Sequence, residues 1–252
     1  MSETLYEIIR PPGVAASAPL SGREAPGPLK VPAYLEDHYH WAYLKPRNVR
    51  LLDRDAVVTT ILWGNNRRLQ RAAFGEFTPG QRVLFAAHVY GGVVANLAAR
   101  LGPGGHLEAI DIAPIQVECC RKKLVPYPWA RARRGDARRP GGGPYDGVCS
   151  YFLLHEVPDD WKRNVVDGLL ATLRPGGKAV FLDYHEPVPW HPLKPLMSLV
   201  LDRLEPFAKG LWAHEIEALA GEHAHFEWRK ETYFGHLYQK VVARRRLHAA
   251  PA

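Results

Sequence analysis

Five short runs of strand pattern, each parted from the next by a single stretch of helical pattern except between the third and fourth, restrict this chain more than any other feature. They are VLFAA at 83–87, HLEAID at 106–111, ARARRGDA at 130–137, YDGVCSYFLL at 145–154 and KAVFLDY at 178–184. After the first, Val93, Val94, Leu97, Ala98 and Leu101 recur at helical spacing, and GPGG at 102–105 ends that helix. Pro114 sits in the first turn of a helix reaching Leu124, and residues 159–173 form another, closed by RPGG. Strands joined by single helices pair in parallel, because a parallel connection needs a long crossover. The expected fold class is therefore α/β, with a doubly wound and mostly parallel sheet. The tail breaks the rhythm. FEWRKETYF and LYQKVVARR flank Gly235 with no helix between them, so an antiparallel pair is expected at the C-terminal edge.

Around that core the chain divides into unlike parts. Residues 1–32 are rich in Pro and Gly and read as a flexible leader. Residues 33–77 are aromatic and helical in pattern, and two or three helices are expected there as a cap. The α/β domain runs over 78–246. Its insertion at 186–212 is Pro-rich and then apolar, and it follows the fifth strand, so it is placed as a lid over the carboxyl ends of the strands, where doubly wound sheets bind ligands.

Bulk properties limit the function classes. The formal net charge is +7 and the pI about 9.4, which suits a basic soluble protein, an anionic membrane surface or nucleic acid. Nucleic acid is not expected as a partner, since no zinc-finger or aromatic RNA-binding pattern occurs. No apolar run reaches the ~18 residues of a membrane span, and no signal peptide is visible. Three cysteines give no disulfide framework and fit a reducing cytosol. Cys149 reads as a buried strand residue, and Cys119 and Cys120 as helix residues, rather than as nucleophiles. A cytoplasmic location is expected, with a possible position on the inner face of the membrane.

The chemistry concentrates at the strand ends. Asp111 closes the second strand, where an acid suits two ribose hydroxyls; its plainer role is helix capping. Asp136, after the third strand, suits an adenine amino group or a solvated turn. The first strand runs into AAHVYGG, where a nucleotide-binding turn is usually rich in glycine so that backbone can approach the ligand.

These motifs, in this order and with LRPGGK before the fifth strand, are similar to class I S-adenosylmethionine-dependent methyltransferases over 78–246. The departure is at the first loop. Phe85 stands where that class usually has an acid, and Ala87 and Val89 stand where it has glycines; Gly91 remains. Within the class, AHVYG, IDIAPIQVECCRKKL, SYFLLHEVPDDWKRNVV, VFLDYHEP, HPLKPLM, LEPFA and TYFGHLYQKVVA resemble the rhodoquinone-biosynthesis enzymes called RquA. The segment HWAYLKPRNVRLLDR…ILWGNNRRL resembles them too, so the likeness covers most of the chain beyond the leader. It implies an enzyme that converts ubiquinone to rhodoquinone. A ring methoxy group is replaced by an amino group, S-adenosylmethionine is the amino donor, and manganese is required.

The candidate cofactor-binding residues are then His88, Val89, Tyr90, Gly91, Asp111, Ile112, Asp136, Ala137 and Tyr151. Tyr90, His155 and Tyr184 are the candidate catalytic residues. Val89 and Tyr90 would displace the methionine end while Asp111 and Asp136 hold the adenosine end, and a phenol at position 90 could donate to a quinone oxygen. For Tyr151 and Tyr184 core packing is the competing reading. His88, His155, Glu156, Asp183 and His185 all lie near strand ends as possible Mn²⁺ ligands; Asp183 and His185 are preferred, because alternate strand residues share a face. Apolar and basic residues interleave over 41–71 and 190–212, which suits a membrane-associated ubiquinone as substrate or a simple core-covering cap. An ordinary methyltransferase acting on a quinone or phenol, and a catalytically dead binding protein, are the alternatives.

Overall fold

The computed structural model describes residues 29–247; residues 1–28 of the leader lie outside that range. Seven strands form one sheet in the order β3–β2–β1–β4–β5–β7–β6. They are β1 (Arg82–Ala86), β2 (His106–Asp111), β3 (Ala130–Arg134), β4 (Tyr145–Tyr151), β5 (Leu173–Tyr184), β6 (Phe226–Tyr233) and β7 (Tyr238–Arg245). The first five pair in parallel. β7 lies antiparallel between β5 and β6. The doubly wound sheet with an antiparallel C-terminal edge is present, and the reversed strand is the inner member of the final pair.

Strand alternation explains why the sheet is buried on both faces. Val83 and Phe85 join one core with α5 (Val93–Leu101) and α6 (Pro114–Leu124). Leu84 and Ala86 join the opposite core with α7 (Asp159–Ala171). The strand order reverses between β1 and β4, which opens a crevice at their carboxyl ends.

β5 begins at Leu173, earlier than the apolar pattern indicates, because Arg174 to Gly177 continue the strand across a register shift between Tyr145 and Gly147. Gly177 permits this: a Cβ there would stand 2.9 Å from the Arg174 carbonyl oxygen and 3.1 Å from two others. The run LRPGG is therefore a strand entry as well as a helix stop.

The cap holds α1 (Ala33–Asp37), a π-helical turn (His40–Leu44), α2 (Pro46–Leu52), α3 (Asp55–Ile61) and α4 (Asn66–Phe74). That is more helices than periodicity resolves. Pro46 starts α2 at its first turn instead of ending a helix, and α1 is too short to show a period. The insertion folds as α8 (Lys194–Leu204) and α9 (Gly210–Ala213). Trp63 Nε1 reaches Met197 Sδ at 3.3 Å, joining cap to insertion.

Candidate functional site

Two cavities open at the carboxyl ends of the strands and share Tyr43 and His88 as a common wall. The first follows β1, β2 and β3, and is lined by Ala87, Asp111, Ile112, Asp136, Ala137 and the Trp161 ring. Asp111 Oδ2 accepts the His88 N–H at 2.8 Å, and Oδ1 accepts the Ala113 N–H at 2.8 Å. Burial raises its carboxyl to about 6, against the pull of these N–H donors. Asp136 accepts from Arg138 Nη2 at 2.7 Å, and the Arg138 guanidinium lies 3.5 Å from the centroid of the Trp161 ring. An adenine amino group would share Asp136 with Arg138.

The rebuilt loop keeps a glycine conformation without the glycine. Ala87 has φ 64°, a region that costs a non-glycine residue roughly 1–2 kcal/mol. Ala87→Gly is expected to raise Tm by a few degrees in calorimetry, on the order of 1 kcal/mol after the added unfolded-state entropy is subtracted. A lower Tm would show that the methyl group's packing outweighs the strain.

His88 is buried and fully committed. Nδ1 meets Gln116 Oε1 at 2.9 Å, and Nε2 meets the Lys123 ammonium at 3.0 Å. The ammonium can only donate and the amide oxygen can only accept, so the proton is assigned to Nδ1. Burial, then the Lys123 charge, lowers its pKa to about 3. Its ring signals in NMR are expected to stay constant from about pH 5 to 9; titration in that range would break this assignment. Tyr90 does not offer a free phenol. Its hydroxyl donates to Ala42 O at 2.6 Å and accepts from Gln116 Nε2 at 3.2 Å. It lines the second cavity with its ring and ties the loop to the cap. Gly91 lines neither cavity.

The second cavity is mostly apolar, bordered by Trp41, Leu52, Ile61, Val89, Tyr90 and Phe152. His155, Glu156 and Glu205 bring ionisable groups to its wall. Phe152 turns the chain at the end of β4 with φ 53°. His155 Nδ1 bonds Asp183 Oδ1 at 2.8 Å, while Nε2 stands 3.8 Å from Glu156 Oε1 and 3.9 Å from Glu205 Oε2. The Tyr43 hydroxyl, from the cap, donates to Glu156 Oε1. Burial would lower the His155 pKa, but Asp183, Glu205 and Glu156 outweigh it and hold the group at about 9. Burial raises Glu156 to about 8 and raises Glu205 as well. The Tyr184 ring packs edge-on to His155, with centroids 4.9 Å apart. The arrangement can give and take protons near neutral pH in apolar surroundings.

Asp183 and His185 are not brought together as ligands. Asp183 is fully buried and accepts from the backbone N–H of Leu154 and Tyr184 as well as from His155. His185 lies beyond the last residue of β5, with Nδ1 against the carbonyls of Glu186 and His236 and Nε2 2.9 Å from Lys230 Nζ. Among the described residues no three His, Cys, Asp or Glu side chains form a group that could hold a metal. The expectation of a shared strand face fails because the strand ends between the two residues. Tyr151 is fully buried beside Phe74 and lines neither cavity; alternation along β4 turns it into the core with Cys149.

Sequence reasoning missed Glu205, Tyr43 and Gln116. Glu205 closes an apolar helix in LEPFA, and a carboxylate ending such a run is the one local signal for it. Its Oε2 is buried without a hydrogen-bond partner.

Residues 83–177 match the methyltransferase domain family. The chain is 21% identical to a possible exported protein from Bordetella parapertussis, covering 80% of this chain and 73% of that one with a TM-score of 0.58. A S-adenosylmethionine-dependent methyltransferase from Aquifex aeolicus is 15% identical, with 79% and 98% covered and a TM-score of 0.57. This is a class I methyltransferase fold. A carboxy-S-adenosyl-L-methionine synthase from Chromohalobacter salexigens is 33% identical over 106 residues, which is 38% of this chain. The chain spans 39% of that relative's length. The methyltransferase fold and the domain match support S-adenosylmethionine binding. The first cavity is where the fold would place the adenosine, with Asp111 and Asp136 at its wall.

Proposed function

We propose that this protein is a S-adenosylmethionine-dependent transferase that moves the cofactor's amino group to ubiquinone, replacing a ring methoxy group and so making rhodoquinone. The observation that carries this reading is the apolar second cavity, which shares a wall with the first and carries His155, Glu156 and Glu205. A neutral, ring-shaped acceptor fits its apolar lining. Addition of the amine to the ring carbon needs a proton removed from nitrogen, and departure of the methoxy group as methanol needs one delivered to oxygen; the bond between that nitrogen and the cofactor's α-carbon then breaks, the nitrogen keeping the electron pair and taking up a proton while the cofactor loses a β-hydrogen as a proton and is left as the alkene. Glu156 is poised for the first task and protonated His155 for the second. Asp183 holds the imidazole, and Tyr43 holds Glu156. The rebuilt loop, with Val89 and Tyr90 in the cavity wall, supports a cofactor whose methionine end lies differently from that of a methyl donor.

The test is isotopic. S-adenosylmethionine labelled with heavy nitrogen is expected to leave that nitrogen on the quinone product. A product carrying the labelled methyl group and no labelled nitrogen would establish the second reading, methyl transfer to a quinone or phenol, which the fold itself favours. The manganese that the likeness to RquA implies does not fit Asp183 and His185. Among the described residues no helix is long and apolar enough to cross a membrane. Trp41 and Ile61 are nonetheless exposed at the border of the second cavity, which supports peripheral contact with a bilayer holding the substrate. Flotation with anionic, quinone-loaded vesicles is expected to carry the protein upward; failure to bind would remove membrane contact from the reading.

A further inference from the structure

The cap is bonded into the loop that the fold uses for a cofactor. That loop ends at the N-terminus of α5, a nine-residue helix, where free amides and the helix dipole favour an anion. Here two of the amides leading into that helix are already taken. Gly91 N–H donates to Asp53 Oδ1 at 2.9 Å, and Gly92 N–H donates to Asp55 Oδ1 at 2.8 Å. Lys123 locks the arrangement, donating to Asp53 and, at 2.7 Å, to Gly91 O, while also reaching His88 Nε2.

The packing is as close as the bonding. A Cβ on Gly91 would lie 2.6 Å from Asp55 Oδ1 and 3.3 Å from Val58 Cγ2. The surviving glycine of the loop therefore admits the cap, not a ligand. Neither cavity is lined by Gly91 or Gly92. Both carboxylates come from the α2–α3 junction, so the plug belongs to the cap and not to the sheet.

We infer that Asp53 and Asp55 are specificity-determining residues that fill the loop's anion site, so that the carboxylate of S-adenosylmethionine gains nothing from the Gly91 and Gly92 amides. The amino-acid end of the cofactor is then not held by its carboxylate at this loop. This rests on the proposed use of S-adenosylmethionine, and it accounts for a cofactor fixed by its adenosine alone.

Calorimetric titration of the full chain with three probes tests it: 5′-methylthioadenosine, S-adenosylmethionine and decarboxylated S-adenosylmethionine. The wild-type protein is expected to bind the last two within about three-fold of each other, because no charged hydrogen bond distinguishes them. Asp55→Ala, which frees the Gly92 amide, is expected to shift the ratio about ten-fold toward the carboxylated form. Asp55→Asn, which still accepts the N–H, is expected to keep the wild-type ratio. Retained binding of 5′-methylthioadenosine shows that each variant is folded. A wild-type preference for the carboxylated form of ten-fold or more, or an unchanged ratio in Asp55→Ala, overturns the inference. Should Asp55→Ala fail to fold, the wild-type ratio decides alone. If the wild-type protein binds none of the three probes, the proposed function itself falls. Binding of 5′-methylthioadenosine with the wrong ratio sinks only the plug.

Discussion

Glu156→Gln is expected to lower turnover by about 10²–10⁴-fold, the usual share of a positioned general base. The amide keeps an oxygen for the Tyr43 hydroxyl and keeps the shape of the side chain, but it cannot take a proton. Stability should hold or rise, since burial already disfavours the charged carboxylate and raises it to about 8. The rate limb of the wild-type enzyme near pH 8 is expected to vanish in the variant. Turnover measured by product formation, beside a melting curve, separates the cases. Near-normal turnover would remove Glu156 from the chemistry.

Asp183→Ala is expected to be the most destabilising single change at the site, by about 3–5 kcal/mol, the range seen when one partner of a buried ion pair is removed. The loss strands the Leu154 and Tyr184 amides and uncovers a buried imidazolium. The effect has a definite pH signature. His155 is held at about 9 in the folded chain, above its ordinary value of about 6.5. Its contribution is therefore fully present below about pH 6.5 and is lost as pH rises through 9. Glu156, raised to about 8 by burial, acts in the same direction, because the folded state keeps a proton that the unfolded state has released. The wild-type Tm is expected to fall between about pH 6.5 and 9, and that slope should flatten in Asp183→Ala. Thermal melts across this range check both the size and the sign. A wild-type Tm that rises with pH would contradict the assigned protonation states.

The sheet was legible because alternation of strand and helix leaves few ways to pair five runs. Asp111 was placed correctly at the end of β2 for the same reason: its position is fixed by the strand that carries it. Glu205 was not legible. Its partners His155 and Glu156 follow β4, and only the return of α8 over the sheet's mouth joins them. Tyr90 reads in the sequence as a donor to cofactor or substrate, whereas the use of its hydroxyl depends on Ala42, in a π-helical turn that no periodicity announces. The pairing of Asp183 with His185 failed on a boundary of one residue, since β5 ends at Tyr184. Asp53 and Asp55 carry no signal in the sequence, because nothing local says that an amide from a loop far along the chain will meet them.

The residues that match the methyltransferase domain, 83–177, include His155 and Glu156 but neither Tyr43 nor Asp183 nor Glu205. The two proposed proton-transfer groups thus sit on the matched segment, while the side chains that bond or face them lie outside it. The cap and the α8 corner therefore set the surroundings of His155 and Glu156 in a way the matched segment alone does not. A search for proteins with this chemistry should therefore weigh the cap and the α8 corner more heavily than the domain between them.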